Sequence, residues 1–206
     1  LIPLMQKGIN LMMNESASED ARNNGLRGLY KYLTIDEDNN SKFHERIGEL
    51  FTPEFMQFIS AMCSNKKCSK FSFIVLNWLL VNDINREAIK ENIPMIISET
   101  LERSDGEEDI LSSLFYFWGR AIENGVQFYD EFFIEKLMNQ IENATVKART
   151  AAVNLLTVAI DDNNDFIEEI STDNIETLFD FIGCRDINMA DGAMVALTKI
   201  IDVGLP

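Results

Sequence analysis

Apolar residues along this chain recur three and four positions apart, as in Ile93, Ile96, Ile97 and Leu101, or Val153, Leu156 and Ile160. That is the spacing of one helical face, and almost no stretch alternates as a half-buried strand would. Five apolar stretches stand out: "GLRGLYKYL" (25–33), "FIVLNWLL" (73–80), "SSLFYFWGRA" (112–121), "AVNLLTVAI" (152–160) and "AMVALTKII" (193–201). Their central leucines, Leu29, Leu76, Leu114, Leu155 and Leu197, follow one another at 47, 38, 41 and 42 residues, a mean step of 42. Periods of this length mark repeat architectures.

A second apolar stretch precedes each of the last four: "PEFMQFI" (53–59), "NIPMIIS" (92–98), "FIEKLMNQI" (133–141) and "NIETLFDFI" (174–182). From Phe55, Ile93, Ile134 and Ile175 to the following central leucine the distances are 21, 21, 21 and 22 residues, a constancy that random clustering would not give. "IPLM" (2–5) supplies the same element for the first copy, with a longer polar loop, "NESASED" (14–20), behind it. The expectation is one all-α domain over 1–206, built from about five copies at 1–35, 43–82, 83–123, 126–161 and 164–203. Polar breaks such as "DEDNNS" (36–41), "RSDGEED" (103–109) and "DDNND" (161–165) read as turns and caps. Pro53 and Pro94 fall in first helical turns, where a missing N–H costs little. "KARTAAVNLLTVAIDDNND" (147–165) reads as a helix apolar on most sides because neighbouring copies cover both flanks.

Composition narrows the class. The 206 residues are 46% apolar, enough for a sizeable core. With 34 Asp and Glu against 18 Lys and Arg, the net charge of −16 repels phosphate backbones and anionic lipid, so nucleic acid is not an expected partner. "FSFIVLNWLLV" (71–81) stops short of the ~20 residues a membrane span needs and is expected to be a core helix. The start, "LIPLMQKGINLMM", lacks a signal peptide's basic lead and cleavage site and reads as an internal edge of a longer protein. Three cysteines, Cys63, Cys68 and Cys184, form no disulfide framework; the odd count fits a reducing compartment, cytoplasm or nucleus.

The period, "NIP-x-I" at the head of one helix and "A-x-x-x-L-x-x-x-A" in the next resemble the armadillo repeat over nearly the whole chain, with the two-helix HEAT repeat as near neighbour. Residues 85–118 and 164–201 carry the resemblance best. It implies a right-handed α-solenoid whose third helices line a protein-binding groove, with no catalytic residue, cofactor or small-molecule substrate. In the peptide-clamping members of that family an Asn stands two positions after the central leucine. Those positions here hold Lys31, Trp78, Tyr116, Thr157 and Lys199, so the Asn ladder is missing. With Arg27 and Arg120 beside them, they are the candidate partner-binding residues, a basic and aromatic groove suited to an acidic or aromatic protein segment. Trp118 aligns with Leu33, Leu80, Ala159 and Ile201 and is expected in the core. The resemblance leaves two readings open: a non-catalytic interaction scaffold, or a nucleotide-exchange factor for Hsp70 of the armadillo cochaperone type.

Other chemistry finds little support. "DDNND" and "DEDNN" offer Asp161, Asn163 and Asp165, or Asp36, Asp38 and Asn40, but lack the sixth-position Gly and twelfth-position Glu of a calcium loop. Cys63 and Cys68 are spaced too widely for a zinc knuckle and have no second pair. His44 is the single histidine, no Gly-rich phosphate loop occurs, and the pairs Glu107–Glu108 and Glu168–Glu169 read as helix surface.

Overall fold

The computed structural model describes residues 2–34, 47–104, 106–129 and 133–203, without the side chains of Asp83, Ile84 and Ala88. "DEDNN" (36–40) and His44 lie outside the described residues. Among the described residues the chain is all-helical. Eleven α-helices run α1 (Ile2–Met13), α2 (Glu19–Thr34), α3 (Pro53–Cys63), α4 (Ser69–Val81), α5 (Asp83–Ile89), α6 (Ile93–Arg103), α7 (Glu108–Glu123), α8 (Phe133–Asn143), α9 (Val146–Asp162), α10 (Thr172–Ile182) and α11 (Ile187–Val203). Short 3-10 turns at Lys90–Asn92 and Asn164–Glu169 lead into α6 and towards α10.

Local chemistry sets the helix starts. Thr52 accepts a hydrogen bond from the Phe55 N–H at the head of α3, and Pro53 fills the first turn, as Pro94 does in α6. Ser171 and Asn174 cap α10 reciprocally, each side chain accepting from the other's backbone N–H at 3.2 and 3.1 Å.

The helices fall into two compact units, Leu1–Ile110 and Leu111–Pro206. In the first, α1 packs on α2 and α3 on α4; α1 also neighbours α3, α3 neighbours α6, and α2 neighbours α4. In the second, α8 packs on α9 and α10 on α11, and α9 lies against α11. All five central leucines are buried, none more than 3% exposed. The second unit adds an aromatic cluster that periodicity does not reveal. Trp118 meets Phe133 at 5.0 Å and Phe128 at 5.8 Å, while Tyr129 meets Phe133 at 5.0 Å and Phe166 at 4.7 Å. Trp118 is a core residue, and its indole N–H donates to the Phe128 carbonyl at 3.0 Å, which satisfies the ring's one polar group.

Two expectations need correction. Helix α9 is not covered on all sides: Lys147, Asn154 and Asp161, seven residues apart, form an exposed polar line opposite the buried Ala152, Leu155, Leu156 and Ala159. The anchor of the last copy is Leu178, fully buried, rather than Ile175, which is half-buried. Ile201, the counterpart of Leu33, Leu80 and Trp118, is 53% exposed.

Candidate functional site

A helix that buries its central leucine turns the residue two positions later by about 200°, towards the opposite side. In each of the five long helices that residue is unburied. Lys31 is exposed, Tyr116 is 62% exposed, and Trp78, Thr157 and Lys199 are half-buried. The first unit contributes Arg27 and Lys31, four apart on α2 and both exposed, together with Trp78 on α4. The second contributes Tyr116 and Arg120 on α7, Thr157 on α9 and Lys199 on α11.

Their partners modify the expected chemistry. Arg120 pairs with Glu123 at 2.9 Å, and Lys199 pairs with Asp161. The Thr157 hydroxyl donates to the Val153 carbonyl at 3.1 Å inside its own helix. The expected basic groove is thus corrected in part: in the second unit Arg120 and Lys199 are matched by carboxylates, while on α2 Arg27 and Lys31 are exposed. Tyr116 offers a large amphipathic ring on an ordered helix, the kind of group that loses little entropy on binding.

"DDNND" is a brace rather than a bare solvated turn. Asp161 takes Lys199; Asp162 accepts from the Tyr129 hydroxyl at 2.7 Å and from the Gln127 amide at 2.8 Å; Asn163 accepts from the Asp165 N–H. Burial, reinforced by the hydrogen bond to Asp162, pushes the Tyr129 phenol well above its ordinary range. Sequence reasoning missed this brace because its halves lie 33 residues apart. The only signal was a polar tyrosine inside "VQFYDEFF" (126–133).

The cysteines are free thiols. Cys63 ends α3 fully buried, and burial raises its thiol well above the usual value. Cys68 heads α4, its thiol donating to the Glu19 carbonyl at 3.6 Å and raised by burial and by the Glu19 charge. Glu107 pairs with Lys66 at 2.9 Å, Glu108 opens α7, and Glu168 and Glu169 are exposed in the 3-10 turn.

Each unit has a cleft open enough to hold a side chain. One of about 420 Å³ in the second unit is lined by Ile134, Met138, Glu135, Glu142, Glu169 and Asn174, a carboxylate-rich wall. One of about 630 Å³ in the first unit lies between α1 and α2, around Leu11, Met12, Ala17, Ala21 and Gly25. Among the described residues, no three His, Cys, Asp or Glu side chains are grouped to hold a metal ion. No helix among them is long and apolar enough to cross a membrane. No family model, curated protein or solved structure matches the chain.

Proposed function

We propose that this protein is a non-catalytic interaction scaffold, an armadillo-like α-solenoid that docks a partner protein on the outward side of its long third helices. The observation that carries the reading is the register itself. Five leucines about 42 residues apart are buried, and the residue two places after each is unburied, so one surface position recurs copy after copy. A repeated outward position on successive helices is what a solenoid offers a partner.

Two further features favour this reading. Within the first unit short helix neighbours short helix and long neighbours long, as stacking of like on like requires. The short helix α5 before α6 and the 3-10 turn at Asn164–Glu169 before α10 supply a third helical piece in two of the five copies, which favours armadillo over two-helix HEAT repeats there. Tyr116 in the second unit and Arg27 with Lys31 in the first are the contacts assigned to the partner.

Site-specific photo-cross-linking tests this. A benzophenone side chain at position 116 should capture a protein from native extract that the same group at Val146, itself 48% exposed, does not. Equal capture at both positions, or none, would refute the surface. If the captured protein is an Hsp70, a nucleotide-release assay decides the cochaperone reading: accelerated release supports it, unchanged release leaves a scaffold.

A further inference from the structure

The long helices differ at the position four residues after the central leucine. Four residues after the central leucine, Leu33 and Leu80 are fully buried, Trp118 is 5% exposed and Ala159 is fully buried, yet Ile201 is 53% exposed. Trp118 is covered by rings from later in the chain, since it rests on Phe128 and Phe133.

On α11, Ile201 belongs to a line. Ile187, Met194 and Ile201 stand seven apart and are 74%, 49% and 53% exposed. Seven residues make nearly two helical turns, so the three lie on one strip about 21 Å long. Phe179, 54% exposed, stands on α10, which packs against α11. A strip of this length and spacing matches the apolar face of one amphipathic helix.

Charge selects the occupant. The two helices expose Asp173, Glu176, Asp180, Asp191 and Asp202, and their one cation, Lys199, is already paired with Asp161. A second copy of this chain, at a net charge of −16, would bring carboxylate against carboxylate at that rim. We infer that the Ile187–Met194–Ile201 strip docks an amphipathic helix of a partner protein whose apolar face is flanked by lysine and arginine. The inference uses the repeat register but not the Tyr116 surface, so the two can fail separately.

Fluorescence anisotropy with a labelled leucine–lysine amphipathic helix of about 18 residues, long enough to span the strip, tests it. The probe should bind the wild-type chain and weaken at raised salt. A Met194→Ser, Ile201→Ser double variant should bind at least tenfold more weakly, and Leu11→Ser, altering a residue 63% exposed on α1, should bind as the wild type does. A scrambled, non-amphipathic peptide of equal charge and a leucine–glutamate helix should both fail to bind. Because both serines replace exposed side chains, the fold should persist; an Asp191→Lys, Asp202→Lys variant, expected to lose affinity likewise, supplies an independent arm. Equal binding of the scrambled or acidic peptide, an unchanged double variant, or a wild-type dimer that the double variant abolishes would each overturn the inference. Loss of binding in Tyr116→Ala alone would move the peptide to the other surface and overturn this one.

Discussion

Leu155→Ala probes the packing on which the repeat reading depends. Leu155 is 1% exposed in the middle of α9, whose neighbours include α8 and α11. Truncation removes three carbons, about 2.4 kcal/mol at ~0.8 kcal/mol per buried carbon. The cavity adds to this, because its far wall is poorly able to fill it. A Leu155 methyl lies 3.9 Å from where a Cβ on Gly119 would stand, and glycine has no side chain to move into the void. The expected loss is therefore about 3 to 4 kcal/mol, within the usual range for buried leucines. At 2–4 °C per kcal/mol for a chain of this size, the melting temperature should fall by about 6 to 16 °C. With two compact units the transition must be read locally. Trp118 in the second unit is a suitable reporter once Trp78 is replaced by phenylalanine in both proteins, so that urea unfolding is followed by the emission of one indole. An unchanged midpoint would remove Leu155 from the core and break the equivalence of the five leucines.

Further outcomes follow from close contacts and titrations. Gly192→Ala should destabilise by about 1 kcal/mol despite the better helix propensity of alanine, because its Cβ would stand 3.3 Å from a methyl of the buried Val153 and 3.0 Å from the Asn154 amide oxygen; Gly119→Ala, with 3.9 Å of room, should be neutral or stabilise by up to ~1 kcal/mol, both read by urea midpoints. Tyr129 should ionise above the ordinary tyrosine range, read as the difference in absorbance at 295 nm against pH between the wild type and Tyr129→Phe. Its folded-state pKa lies above the unfolded value, so its contribution to stability is complete below about pH 10 and is lost as the pH rises beyond that; Tyr129→Phe should make stability fall less steeply there. Native-state thiol labelling should modify the half-buried Cys184 first and the fully buried Cys63 last, and equal rates at both would contradict the packing of α3.

Much of the helical architecture was legible from spacing alone, because a buried leucine recurring with its upstream anchor is a local signal repeated many times. Each of the ten apolar stretches lies in a helix, and Pro53 and Pro94 mark first turns as their missing N–H groups require. The misreadings share a cause. Leu33, Leu80 and Ile201 look alike in sequence, but burial depends on what lies outside the helix: Phe133 packs on the buried Trp118, whereas Ile201 is 53% exposed. Residues such as Arg120, Lys199 and Asp162 carry charge in the sequence without announcing their partners. Two of those partners lie 33 and 38 residues away, beyond any local pattern. The burial of the central leucines was therefore legible in the sequence, and the pairing of the charged side chains was not.

The most direct test of the account is quantitative affinity capture from native extract, comparing the wild-type chain with a folded Arg27→Ala, Lys31→Ala, Tyr116→Ala variant. All three side chains project from helices without a core role, so their truncation should leave melting unchanged. The account predicts that at least one stoichiometric protein partner is retained by the wild type and lost by the variant, at equal loading and equal thermal stability. Retention of every partner by the variant would contradict the claim that the outward side of the long helices is where this protein binds.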